Sequence, residues 1–320
     1  MSVLAVPTLV APTALAAARA AVVCAEGTAA RHGEFAHDEA TVSPAVKARV
    51  ARDLADQTRT MRARSARTGE DTLPAEIVVP VRIHIIRGTH RKDRLVTRNE
   101  ARRMFYTLRA GFNGAQDPTM TPTGIRFELR PISISRNDRW FHAPPGSRAD
   151  REMHRKLHQG ERRSLNIYLN DVNFDGGSLL GIARFPWLAG AYPLLDGITI
   201  NVSSLPGGRA RGYNLGDTVI HEAGHWFGLF HTFEGGCEGS GDYANDTPAE
   251  AEPSYECDLT RDTCPTEVPE GWVPGDPEPE SVLDPVQNFM DYSYDRCMNH
   301  FTPDQRTRAV TLFMRYRYGR

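Results

Sequence analysis

Apolar and polar positions along the chain fall into a series of short periodic segments. Residues 43–62 place Val46, Val50, Leu54 and Ala55 at helical intervals behind Ser43-Pro44, which predicts an amphipathic helix with its start signal in place. From residue 77 the texture turns to β-branched alternation, and Ile77-Val-Val-Pro-Val-Arg-Ile-His-Ile-Ile86 reads as a strand. Further strands are predicted at 124–135, 164–169, 179–185 and 197–202. Helices are predicted at 97–112, 214–228 and 302–316, the last capped by Thr302-Pro303-Asp304. Residues 236–286 show little periodicity and much Gly, Pro, Asp and Glu, and no internal repeat is visible. Strands mixed with a few helices predict an α+β domain over residues 71–320.

The segment 62–69 (Arg62-Ala-Arg64-Ser-Ala-Arg67-Thr-Gly) is basic, small and aperiodic, and reads as an exposed linker open to cleavage. A boundary is therefore expected near residues 65–75, with 25–70 as a helical leading segment and linker. Residues 1–18 carry no charge and run into Ala18, Ala20 and Ala21, which suits a secretory signal. They lack the basic start of such signals, and Pro7 and Pro12 interrupt them, so residues 1–24 stand as a candidate signal or latency segment.

The balance of 38 Lys plus Arg against 40 Asp plus Glu argues against a partner bound by bulk electrostatics, nucleic acid above all. With 40% hydrophobic and 24% charged residues, wholesale disorder and a polytopic membrane protein are excluded. No apolar run has the length of a clean membrane span.

One segment changes the picture: Asp217-Thr-Val-Ile-His221-Glu222-Ala-Gly-His225-Trp-Phe-Gly228-Leu-Phe-His231. It carries H-E-x-x-H and extends it to H-E-x-x-H-x-x-G-x-x-H, a pattern expected by chance on the order of once in ten thousand such chains. Four residues on a helix return to nearly the same face, so His221 and His225 can point two imidazoles at one ion. Glu222 stands beside the first ligand, placed to hold and deprotonate a water there. On a continued helix His231 would face the opposite side, so the helix must stop, and Gly228 is where a left-handed turn costs little. Three imidazoles and one open position describe a catalytic zinc site.

The chain resembles a metzincin metallopeptidase and, within that clan, the pappalysin family in its ulilysin-like branch. The matching text is Tyr213-Asn-Leu-Gly216, the zinc motif through His231-Thr232-Phe233, Gly241-Asp-Tyr243 with Asp246-Thr-Pro248, Asn288-Phe-Met290-Asp-Tyr292, Cys297-Met and Phe301-Thr-Pro303. The likeness covers about residues 77–317. It implies a zincin catalytic domain with a twisted mixed sheet, a zinc helix and a C-terminal helix, preceded by a mainly helical pro-segment. It implies zinc on His221, His225 and His231, Glu222 as general base and then acid, Met290 in a turn beneath the metal, and Tyr292 as a donor to the oxyanion. The strand 179–185 matches the family's edge strand, which can pair with an extended peptide main chain to main chain.

Cys237, Cys257, Cys264 and Cys297 permit three pairings and contain no C-x-x-C, which disfavours a zinc ribbon. The resemblance implies Cys237 with Cys264 and Cys257 with Cys297, and such bridges imply an oxidising compartment and secretion. Asp242, Asp246 and Thr247 are hard-ion ligand types in a Gly-rich turn. The family often binds calcium there, with Asp242 and Thr247 the expected contributors. Cys24 is a candidate latency ligand, since a thiolate can cap zinc; the family's cysteine is usually followed by Gly, and here Ala25-Glu26-Gly27 follows. In family members that prefer Arg on the leaving-group side, an acid tends to occupy the place of Arg296; here the acid is Asp295, one place earlier, which puts that preference in doubt.

The expected function is a secreted zinc endopeptidase made as a zymogen and acting on proteins or polypeptides, with a monomer favoured and neither nucleic acid nor a membrane span. The alternatives are a catalytically silent, zinc-containing binding module and a hydrolase of small peptides or amides.

Overall fold

The computed structural model describes residues 28–32, 42–69, 71, 73–91, 93–117, 119–120, 122–172, 179–264 and 282–318. The elements run β1 (Thr28–His32), α1 (Pro44–Thr68), β2 (Ile77–Arg87), α2 (Arg98–Phe112), β3 (Ile125–Leu129), β4 (Ser133–Arg136), α3 (Asp138–Phe141), α4 (Arg148–Leu157), β5 (Leu165–Asn170), β6 (Leu179–Arg184), β7 (Ile198–Asn201), α5 (Thr218–Phe227) and α6 (Pro303–Tyr316). One mixed sheet has the order β1-β6-β7-β5-β2-β3, with β4 also on β2. β2, β3, β4, β5 and β7 pair in parallel, and β6 runs antiparallel to both β7 and β1. Among the described residues no helix is long and apolar enough to cross a membrane.

Local chemistry explains most of these bounds. Pro80 lies inside β2, where the ladder to β5 has not begun and β3 is the only partner, so its missing N–H breaks no central pairing. The strand expected at 124–135 is two strands because Pro131 interrupts it; both halves lie on β2, at Ile77–Val81 and at His84–Arg87. Capping boxes start α2 (Thr97 with Glu100) and α6 (Thr302 with Gln305). The expected linker at 62–69 is instead the last two turns of α1. Arg and Ala hold the helix through Thr68, and Gly69, with φ of 70°, ends it. Helices α3 and α4 were not foreseen. In α4 the buried residues are Asp150, Met153 and His154 only, so no apolar stripe announces it.

α2 and α5 pack on the sheet around Phe112, Phe127, Phe227, Phe301 and Phe313, the centre of the main core. A second cluster joins the N-terminal segment to this body. Val42 and Val50 bury against Phe185, Trp187, Phe230 and Leu312, with Val46 and Leu54 at the margin. The helical stripe read from the sequence is therefore the face α1 presents to α6 and to the loop after β6. Asp53 adds a polar anchor, accepting from Tyr316 Oη at 2.5 Å and Arg315 Nη2 at 3.0 Å.

Candidate active site

His221, Glu222 and His225 all project from α5, whose residues are buried throughout. The helix ends after Phe227 because Gly228 takes φ of 101°, and its N–H returns to the His225 carbonyl. The chain then turns back and brings His231 to the other two rings. His225 Nε2 lies 3.0 Å from His221 Nε2 and 3.0 Å from His231 Nε2. The remaining ring nitrogens assign the tautomers: His221 Nδ1–H donates to the Phe289 carbonyl at 2.7 Å, and His225 Nδ1–H to the Leu229 carbonyl at 2.8 Å. Each Nε2 is then a lone pair, and lone pairs facing one another at this range repel unless a cation sits between them. Burial pushes the His225 imidazole down to about 4, partly offset by its bond to Leu229, so the ring is neutral at pH 7, the form that ligates metals. Tetrahedral zinc with Zn–N of about 2.0–2.1 Å sets its ligands about 3.3 Å apart, so the donor set fits zinc.

The surroundings are built for this arrangement. A Cβ on Gly181 of β6 would sit 2.7 Å from Glu222 Cγ and Oε1, so glycine there makes the room that the Glu222 side chain fills. A Cβ on Gly224 would sit 2.4 Å from Met290 Sδ, which places the fully buried Met290 directly against the helix between His221 and His225. The Tyr292 ring is 1% exposed, with its centroid 4.9 Å from His231 and 5.7 Å from His221. Behind the helix, Trp226 Nε1 donates to Asp196 Oδ2 at 3.2 Å, and Arg317 pairs with the same carboxylate at 2.6 Å while lying 3.7 Å over the indole. Gly181, Asp196 and Arg317 carry no motif, and Gly224 fills an open position of H-E-x-x-H, so nothing in the sequence marked their roles.

Asp295 accepts from the backbone N–H groups of Leu215, Gly216 and Asp217 at 2.8, 3.0 and 3.4 Å. It is buried beneath the start of the zinc helix and holds that loop, so its carboxylate serves the scaffold rather than facing a substrate side chain.

Disulfides join Cys237 to Cys264 and Cys257 to Cys297, with Cα–Cα distances of 5.3 and 5.8 Å. They close the aperiodic region around a buried carboxylate network. Glu250 accepts from Thr232 Oγ1, next to His231, at 2.7 Å, and from Arg261 Nη1 at 2.7 Å. Burial, with the Asp291 charge nearby, pushes the Glu250 carboxyl up. Asp242 accepts from the Ala244 N–H at 2.9 Å, and burial raises its pKa to about 6 against the lowering effect of Arg308, Gln305 and Thr247. Asp242 and Thr247 thus share one loop, whereas Asp246 turns to the α6 N-terminus and accepts from the Asp304 N–H.

The strand at 179–185 was expected to be an edge. In the full chain it is interior, because β1 from the N-terminal segment pairs along its outer side in the antiparallel sense, with Arg31 opposite Gly181. The groove beside Glu222 is thus lined by the chain's own backbone. Cys24, and the segment 1–24 with it, lies outside the described residues.

Comparisons with known proteins follow this geometry. The family model Peptidase_M43, described as pregnancy-associated plasma protein-A, matches residues 150–313. An extracellular metalloprotease of Colletotrichum graminicola is 44% identical over 200 residues, 61% of this chain and 64% of the relative, so the match spans less than two thirds of that protein. One of Neurospora crassa is 38% identical over 256 residues, 79% of this chain and 80% of the relative. Mature mirolysin of Tannerella forsythia, solved with a cleaved peptide, aligns with a TM-score of 0.58 at 25% identity, covering 74% of this chain and 92% of that one. A promirolysin mutant aligns with a TM-score of 0.61 at 24% identity, covering 85% and 89%.

Proposed function

The chain belongs to the Peptidase_M43 family, and from that premise we propose that it is a secreted zinc metalloendopeptidase of the metzincin type, kept latent by its own N-terminal segment. The observation that carries this reading is the meeting of three imidazole Nε2 atoms at the helix that carries Glu222, whose side chain packs against Gly181 of β6.

His221, His225 and His231 would hold the ion. When bound, zinc supplies a Lewis acid that polarises the scissile carbonyl and acidifies a neighbouring water. Glu222 takes the proton from that water and passes it to the leaving amine nitrogen. The Tyr292 hydroxyl donates to the oxygen on which negative charge develops. The β6 backbone, once β1 has left, pairs with an extended polypeptide and fixes the scissile bond, which favours proteins over small amides. The segment up to residue 70 acts as the removable cover: β1 lies along β6, α1 anchors on α6, and Cys24 is the candidate cap on the metal. The promirolysin alignment covers 85% of this chain against 74% for the mature form, which supports a leading segment of this kind. The disulfides and the extracellular relatives support secretion. A calcium ion on Asp242 and Thr247 would complete the loop that carries Glu250.

The test is casein digestion by the purified chain before and after loss of residues 1–70. Cleavage is expected on loss of that segment, is abolished by a chelator and returns with zinc. A processed, zinc-loaded protein that cuts no unfolded protein would leave the silent binding module as the better reading.

A further inference from the structure

Three loops meet at the carboxyl ends of parallel strands, away from the catalytic motif in sequence. They are residues 88–90 and Asp93 after β2, the turn at His142 that closes α3 after β4, and Asp171 after β5. In open sheets this end is where ligands gather. Here the loops bring together His90, Asp93 and His142, whose donor atoms all lie within 4.8 Å of one another.

The centre of the group is Asp93, whose side chain is only 2% exposed. Its Oδ2 lies 3.4 Å from His90 Nδ1 and its Oδ1 lies 3.5 Å from His142 Nε2. Those separations exceed a good N–H···O bond of about 2.7–3.2 Å. They lie close to the ligand-to-ligand spacing of about 3.3–3.4 Å around a tetrahedral ion with bonds of about 2.0–2.1 Å, with the two rings facing different oxygens of Asp93, whose Oδ2 also accepts from the His90 backbone N–H at 2.9 Å. The other nitrogen of His142 stands 3.2 Å from Asp171 Oδ2. A carboxylate behind a histidine in this way holds the proton on Nδ1 and leaves the facing Nε2 as a lone pair, the usual support of a metal-binding imidazole. His90 Nδ1 lies 3.5 Å from Asp138 Oδ1, a further oxygen, and that carboxylate is fixed by the Thr89 N–H and hydroxyl at 2.6 Å each. Space for the buried carboxylate depends on Gly88, where a Cβ would sit 1.9 Å from Asp93 Oδ2. The two imidazoles are 60% and 42% exposed, so an ion can enter from solvent.

We propose that His90, Asp93 and His142 form a second metal site, independent of the catalytic triad, for a first-row divalent cation such as zinc. Two imidazoles and one carboxylate suit borderline ions and not calcium or magnesium, which prefer oxygen alone. Bound there, the cation would clip the loop after β2 to the loop after α3.

The experiment uses the full chain, saturated with calcium and loaded with one equivalent of zinc. Zinc alone is then titrated by calorimetry and counted by native mass spectrometry. A second equivalent should bind to the unaltered chain. It should be lost in His90→Ala/His142→Ala, with the first equivalent retained, and bind about 10–100-fold more weakly in Asp171→Asn. Asp171→Asn leaves all three ligands in place and covers the case in which the double variant fails to fold. A single equivalent at zinc excess in the unaltered chain would overturn the proposal. So would a second equivalent of unchanged affinity in either folded variant.

Discussion

His221, His225 and His231 come from eleven consecutive residues, are buried, and share their segment with the buried Glu222, which packs against Gly181 of β6. His90, Asp93 and His142 come from loops spread over residues 90–142, and two of the three face solvent. Both groups gather donors at the spacing one ion needs. The difference lies in what surrounds them. On the proposed function the buried triad would have a base in Glu222, a hydroxyl donor in Tyr292 and, once β1 has left, a peptide-pairing strand in β6, in a setting where charge is poorly screened and each interaction counts for more. The exposed group has only carboxylates that orient its rings. A metal becomes a catalyst or a clip according to the neighbours that the fold supplies.

The contrast breaks most sharply at a ligand. His225→Ala should lose tightly held zinc and lower kcat/KM on casein by on the order of a thousandfold or more, whereas His90→Ala/His142→Ala should leave cleavage unchanged. Equal losses from both would erase the distinction. Next is the hydroxyl: Tyr292→Phe should cost about 10²–10³ in kcat with zinc content and thermal unfolding unaltered, because only the oxyanion donor is gone. Gly181→Ala tests the base through its support. The added methyl displaces Glu222, and kcat should fall by up to about 10² with zinc retained. A wild-type rate would mean that Glu222 does not depend on that contact.

Two smaller effects sharpen the picture around the triad. Cys257→Ser with Cys297→Ser should lower stability by about 2–4 kcal/mol in chemical denaturation, since that bridge closes the loop containing the Met290 turn. The last effect concerns the docking of α1 on α6. Burial raises the Asp53 carboxyl, but hydrogen bonds from Tyr316 and Arg315 outweigh it, so its pKa is below the ordinary value when α1 is docked. A depressed carboxyl contributes stability above the unfolded pKa of about 4 and loses it as pH falls through the docked value. Hydrogen exchange over α1 should therefore rise as pH falls below about 4, and Asp53→Asn should flatten that dependence. An identical acid response in the two proteins would remove Asp53 as the anchor.

The comparison also explains what could be read from the chain. The triad was legible because helical geometry turns spacing into direction, and Gly228 announces the turn that returns His231. The main strands were legible where β-branched residues alternate, as in β2. His90 and His142 were not, because no local period links residues that only tertiary structure brings together. Gly181, Gly224 and Gly88 are likewise ordinary in sequence and acquire their roles only when Glu222, Met290 and Asp93 arrive beside them. The segment 62–69 misled because charge and small size suggest a loop, whereas Arg and Ala also extend a helix already begun. β1 escaped notice because five residues, Thr28–His32, form a strand only on a partner already in place.

Glu222 is proposed as the group that moves the proton beside a metal held by His221, His225 and His231. The direct measurement is zinc content and casein cleavage on one preparation of Glu222→Ala from which residues 1–70 have been removed. Zinc at the triad unchanged from the parent, with cleavage reduced to background, is the predicted result. Parental cleavage by the pure, zinc-loaded variant would contradict it.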